Sequence, residues 1–215
     1  TTNSATTSAS VTGLQPGTQY VATVVANNAA GAGPSVTTST FTTNPGLTTS
    51  SATTTEAVGV AMTPITATVL AEVGVTSTFA LSGTLPAGLE FDTATGTISG
   101  TPTTVTTATT VTITASVLIG SDTKTATTNV TISVALSPQT TLTLAGGSAN
   151  IGDTVTVTVG GGSSTGNITY AVTGGTATGC SVNAQGEVTS TGAGTCIVRA
   201  TKDGDSTFAT ATSAP

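Results

Sequence analysis

Apolar and polar residues alternate one by one along much of this chain. Val111, Ile113 and Ala115 alternate with Thr110, Thr112 and Thr114, and Val130, Ile132 and Val134 with Asn129, Thr131 and Ser133. Val155, Val157 and Val159 alternate in the same way with Thr154, Thr156 and Thr158. A period of two sends successive side chains to opposite faces of an extended strand. Each run therefore predicts a strand with one buried face and one face coated in Thr. The three-and-four spacing of an amphipathic helix is nowhere sustained. Clusters of Gly, Pro, Asn and Asp punctuate the strands at 27–34, 44–46, 82–88, 100–102, 160–166, 174–179 and 203–205. Short strands separated by such turns predict an all-β chain of two-layered sandwiches. Two breaks in composition, Asn44-Pro45-Gly46 and Ser137-Pro138, read as linkers and divide the chain into 1–45, 46–136 and 137–215.

Composition narrows the chemistry. Of 215 residues 58 are Thr, two are Cys, and none is His or Trp. Thr is β-branched, uncharged and compatible with water, which suits the solvent face of a strand. Hydrophobic residues make up 36% and mean hydropathy is +0.31, too apolar for a disordered chain. No apolar stretch is long enough to cross a bilayer as a helix, so membrane insertion is not expected. With no His and two Cys, a zinc, haem or iron–sulfur centre lacks ligands, so no metal or cofactor is expected. Serine or cysteine catalysis through His cannot arise within the chain. Charged residues are 6%, against about 25% in an ordinary soluble domain. Net charge is −6, and the only cations are Lys124, Arg199 and Lys202. Three cations cannot neutralise a phosphate backbone, which excludes nucleic acid as a partner. Two Cys and few Lys fit an oxidising, extracellular setting. No basic and then apolar leader opens the chain, so its start reads as a mature end or an internal cut.

Each unit carries its own motif. Leu14, Pro16 and Tyr20 in the stretch LQPGTQY resemble the tyrosine corner of fibronectin type III domains. The resemblance implies that the Tyr20 hydroxyl folds back to upstream backbone and pins the corner. VVANNAAGAGP, Val24 to Pro34, is similar to that family's strand F and F–G hairpin. It implies Val24 and Ala26 in the core, Asn28 and Gly31 at the turn, and Pro34 opening a last strand. That strand is expected over Val36 to Thr43, with Phe41 buried. The family's earlier strands and core Trp are absent, so 1–45 is expected to hold the C-terminal part of such a sandwich.

In the second unit, LPAGLEFDTATGTISGTP runs from Leu85 to Pro102. It resembles the cadherin-like Putative Ig domains of bacterial surface proteins. The pattern places Leu89, Phe91 and Ile98 inward, makes a tight turn of Asp92 to Gly96, and releases the chain at Gly100-Thr101-Pro102. Leu85, Pro86 and Gly88 open the motif, and Phe79 and Leu81 give the preceding strand a core face. The third unit, in Thr169 to Pro215, is similar to bacterial Ig-like repeats of giant extracellular proteins, in which Cys180 and Cys196 both recur. A Cys180–Cys196 bridge is the favoured reading and two buried free thiols the alternative. The fold class expected is therefore all-β, a tandem of immunoglobulin-like β-sandwiches.

Both ends fall within or at the edge of a fold unit. The chain then reads as a window on a longer tandem protein, or as a unit whose strands are completed between copies, with the Thr-rich lead Thr1 to Ser10 as donor. Candidate chemistry is sparse. Asp203-Gly204-Asp205 resembles a fragment of a calcium loop but equally makes a hairpin turn. An interdomain calcium site could draw on Asp122 or Asp153. Glu90 and Asp92 share a strand face without the aromatic platform of a glycosidase cleft, so they read as a solvated face. Lys124 is in phase with Ala126, Val130 and Ile132 and reads as a snorkelling side chain, with an isopeptide crosslink as the alternative. Asn129-Val130-Thr131 and Asn167-Ile168-Thr169 are glycosylation sequons of the kind a Thr-rich chain produces by chance. The six aromatics, Tyr20, Phe41, Phe79, Phe91, Tyr170 and Phe208, all take core-type positions, leaving no sugar platform. The expectation is a non-enzymatic module array of a bacterial extracellular or surface fibre, acting as stalk or self-assembling appendage. Its partners would be other copies, neighbouring Ig-like domains, or a cell surface or matrix. A phage virion protein and an accessory region of a secreted polysaccharide hydrolase are the alternatives.

Overall fold

The computed structural model describes residues 9–215, and the described residues contain strands and no helix. Residues 1–8, with most of the expected donor segment Thr1 to Ser10, lie outside the described residues. The first segment holds four strands: β1 (Gln19–Tyr20), β2 (Thr23–Asn28), β3 (Gly31–Thr37) and β4 (Phe41–Thr42). β1 pairs with β4, and β2 pairs with β3, each as a separate antiparallel two-stranded sheet. The expected last strand over Val36 to Thr43 is thus split in two. The expected core is also corrected. Every residue of β2 and β3 is exposed, Val24 at 62% and Val36 at 67%, and Ala26 with them. Phe41 is 40% exposed. The cause is geometric: a hairpin buries a face only against a second layer, and the described residues 9–45 supply none.

The second segment has that layer. Eight strands follow: β5 (Gly46–Thr49), β6 (Thr53–Ala57), β7 (Ile65–Leu70), β8 (Thr76–Ser82), β9 (Leu89–Asp92), β10 (Thr97–Gly100), β11 (Thr106–Ile119) and β12 (Asp122–Ala135). They form one sheet in the order β5-β7-β10-β9 and another in the order β6-β12-β11-β8. The alternating runs of the sequence are the inward rows of β11 and β12, with Val111, Ile113, Ala115, Val130, Ile132 and Val134 all buried. Ile65, Ala67, Leu89 and Ile98 join this core from the other sheet and Met62 from the loop before β7, and Phe79, Leu81, Leu85 and Phe91 pack against it half-buried. The opposite row is Thr and Ser, and it bonds across strands: Thr110 to Thr131, Thr55 to Ser133, and Thr112 to the Asn129 carbonyl oxygen, each at 2.9 Å.

The third segment is more fragmented. Its strands are β13 (Thr143–Ala145), β14 (Val155–Thr156), β15 (Thr158–Gly160), β16 (Ile168–Gly175), β17 (Ser181–Val182), β18 (Glu187–Thr189), β19 (Cys196–Lys202) and β20 (Ala211–Thr212). They pair as β13-β15, β14-β18-β17 and β16-β19-β20. The Val155–Val159 alternation is interrupted at Val157, whose N–H donates to the Gly186 carbonyl at 2.9 Å. The two halves of that run therefore join different sheets. Leu142, Val157, Val198 and Ala200 are its buried apolar residues.

Candidate functional site

The tyrosine corner forms from local bonds. The Gln15 N–H donates to the Tyr20 hydroxyl oxygen at 2.8 Å. Thr43 Oγ1 donates to the Gln15 carbonyl at 2.7 Å and accepts from the Thr18 N–H at 2.9 Å. Leu14 is half-buried and Pro16 exposed. Phe41 lies beside the Tyr20 ring, centroids 6.0 Å apart and planes at 28°. At the β2–β3 turn, Asn28 Oδ1 accepts from the Ala30 N–H at 2.8 Å, a side-chain mimic of a backbone turn.

The Leu85–Pro102 motif is held by its glycines and by Asp92. Leu89 and Ile98 are buried; Leu85 and Phe91 are half-buried. Asp92 accepts from the Ala94 N–H and the Thr95 hydroxyl, each at 2.8 Å, and these bonds, the Thr95 one foremost, hold its carboxyl below the usual range. Gly96 turns there with φ of 68°, and a Cβ on it would sit 2.8 Å from the Phe79 ring. Gly88 (φ 89°) backs onto the Thr101 carbonyl, and Gly100 (φ 128°) onto the Gly88 carbonyl. Pro102 is buried. The motif is thus two closely crossing backbones whose approach leaves no room for side chains.

Cys180 and Cys196 are joined in a disulfide. The alternative of two free thiols is set aside. Cys196 also borders an open cleft of about 480 Å³ between the small sheets, lined by Leu144, Val155, Val157, Val188, Ile197 and Pro215 among others.

The remaining candidates resolve into structure. Asp205 caps its own loop: its carboxylate accepts from the N–H groups of Thr165, Thr207 and Phe208 at 2.8 to 2.9 Å. These bonds, the Thr165 one first, lower its pKa to about 2. Oxygens committed to three backbone donors serve a turn. Asp122 accepts from the Thr42 hydroxyl at 2.8 Å, and Asp153 from the Asn150 amide at 3.2 Å. Among the described residues no three His, Cys, Asp or Glu side chains converge. Glu90 and Asp92 are exposed on β9, and Lys124 is half-buried opposite Val117. Of the six aromatics only Phe41 is exposed; the other five are half-buried. One cluster had no signal in the alternation. Ser137 is buried, its hydroxyl donating to the Val58 carbonyl at 2.7 Å, its N–H to the Thr207 carbonyl, and its own carbonyl accepting from the Ala209 N–H. Gln139 follows, its amide nitrogen 2.7 Å from the Ala209 carbonyl and its oxygen accepting from Ser164 Oγ at 3.1 Å. A polar pair beside Pro138 in a loop resembles any other loop until the partner carbonyls are seen.

Residues 44–135 match the family model of the Putative Ig domain, and residues 1–42 that of the fibronectin type III domain. Domains of these two kinds are typically non-catalytic structural or adhesion modules. Similar solved structures include human protocadherin-24 EC1-2, at 15% identity and a TM-score of 0.37, covering 80% of this chain and 94% of that one. Drosophila N-cadherin EC1-4 is 14% identical with a TM-score of 0.36, covering 93% of this chain and 57% of that one. A SusE-like surface located polysaccharide binding protein from the Bacteroides thetaiotaomicron heparin utilisation locus is 15% identical with a TM-score of 0.27, covering 91% and 42%. No curated protein matches the chain.

Proposed function

We propose that this chain is a non-catalytic array of Ig-like modules, divided at 1–45, 46–136 and 137–215, that spans distance under tension in a bacterial surface fibre outside the cell. A stalk and a self-assembling appendage subunit are the two forms such a fibre takes. The observation that carries the reading is the path of the chain through the second sandwich. It enters at β5 and β6 and leaves at the end of β12, and β6 lies parallel to β12 over Thr53–Ala57 against Thr131–Ala135. Tension applied at the two ends of this segment pulls those parallel strands past each other. Their ladder bonds are then loaded together rather than one after another. The 14-residue strand β12 runs between the two junctions, a span of roughly 45 Å at the usual strand rise. The Thr-coated outer faces and the low charge fit a hydrated, inert surface with few cleavage sites for trypsin.

Single-molecule pulling of the whole chain tests the reading. The expected trace has one discrete step for the second sandwich, lengthening the chain by about 25–30 nm at the extended-residue reach. Smooth extension with no step would remove the tension-bearing role. Electron micrographs of native material separate the two forms: filaments with a regular axial repeat mean assembly, and isolated strings mean a stalk.

A further inference from the structure

We propose that the tyrosine corner doubles as a clasp between units: the loop it pins, Gln15 to Thr18, holds the first segment at one fixed orientation on the tip of the second sandwich. Three sets of contacts meet there. On the β7–β8 loop, Gly17 is buried against Ala71, and its carbonyl accepts from the Glu72 N–H at 3.2 Å. A Cβ built at position 17 would lie 2.5 Å from the Ala71 Cβ and 2.9 Å from its Cα. On the β11–β12 turn, Gln19 Nε2 donates to the Ile119 carbonyl at 3.4 Å, and Thr42 Oγ1 donates to Asp122 Oδ2 at 2.8 Å. A Cβ at Gly120 would run into the Gln19 amide. The third contact is covalent. Only Thr43, Asn44 and Pro45 separate β4 from β5, Pro45 is buried, and the Gly17 N–H donates to the Asn44 carbonyl at 3.0 Å.

The placement of these contacts decides what they do. β5 and β7 belong to one layer of the sandwich and β11 and β12 to the other. Two contacts on one layer and one on the other are not in line, and two bodies held at three such points cannot swivel. The loop is stiff before it docks, because Tyr20 and Thr43 both tie down Gln15. A close backbone approach selects Gly at position 17, whose φ of 54° serves the turn as well. The clasp goes beyond the tension-bearing reading: it concerns how one unit is aimed at the next, whatever force the array carries.

Residual dipolar couplings on the whole chain test it. In the wild type, couplings from β1, β4 and the second sandwich are expected to fit a single alignment tensor. Ala71→Glu adds bulk at the Gly17 contact and leaves the Gln15–Tyr20 bond in place, and because Ala71 also packs against Ala115, Val117 and Ile119, the couplings of the second sandwich are the control for its integrity. The variant is expected to cut the tensor amplitude of β1 and β4 at least twofold while the second sandwich keeps its couplings. The double variant Gln19→Ala, Thr42→Val removes the two bonds to the β11–β12 turn without adding bulk and is expected to move the same readout the same way. A wild type that needs two tensors, or variants that both keep one, would overturn the clasp.

Discussion

Single residues hold this chain where the backbone must turn or cross itself. Gly88 is the sharpest case, since a side chain there would enter the Thr101 carbonyl and its φ is 89°. Gly88→Ala is expected to cost about 2–4 kcal/mol from overpacking and left-handed strain, read as a lower urea midpoint with an unchanged slope. Tyr20→Phe keeps the ring beside Phe41 and deletes the acceptor of the Gln15 N–H. Its expected mark is faster hydrogen exchange at the Gln15 amide, with a loss of about 0.5–1 kcal/mol because the bond is exposed. Asp205 gives a pH dependence of known sign. Its folded pKa, about 2, lies below its ordinary value of 3.8. The carboxylate therefore stabilises the fold above about pH 4, and that contribution fades as pH falls toward 2. Asp205→Asn is expected to flatten the fall in melting temperature over that window, and a wild-type slope retained in the variant would show that the cap contributes nothing. The turn at Asp203 to Asp205 was legible as one of two readings. The three N–H groups that converge on Asp205 show how the turn is built, and no local pattern announces them.

At the scale of elements, the cost of a substitution follows layer membership. Ile98, Ile113 and Ile132 are fully buried at the centre of the two facing sheets, so Ile132→Ala is expected to lose about 2–5 kcal/mol in denaturant titration. Val24 shares a predicted strand face with Ala26 but is 62% exposed, so Val24→Ala is expected to stay within about 0.5 kcal/mol. Alternation reports which residues share a face; it does not report whether a second sheet covers that face. The Val36 to Thr43 and Val155 to Val159 runs show a related limit, because each reads as one strand and each changes partner midway. In the third segment the core is small and open to a cleft, and the disulfide compensates. Replacing Cys180 and Cys196 together by Ser, which removes the closure of a loop 16 residues apart in sequence, is expected to cost about 3 kcal/mol by loop entropy. Thermal melting of this variant is expected to separate the third segment from the second, which melts as before.

For the whole molecule, the joints matter more than the modules. Ser137 bonds one end of the second sandwich to the third segment and the Gly17 loop bonds the other end to the first, so the described array is hydrogen-bonded through both junctions rather than strung on free linkers. Period-two alternation, turn clusters and the absence of His determined, by themselves, an all-β chain without a His-based reactive centre. Those properties are local or compositional, and each residue carries its share of the signal. Motif stretches went further, to the tyrosine corner and the Leu85–Pro102 hairpin, because a turn bonds residues close in sequence. What only the tertiary structure decided is what depends on distant partners: the exposure of the first hairpin, the capped state of Asp205, the burial of Ser137, the parallel β6–β12 pair and the contact of Gly17 with Ala71. Each is a meeting of segments far apart along the chain, and an alternation pattern records the face a residue presents but not the segment that comes to meet it.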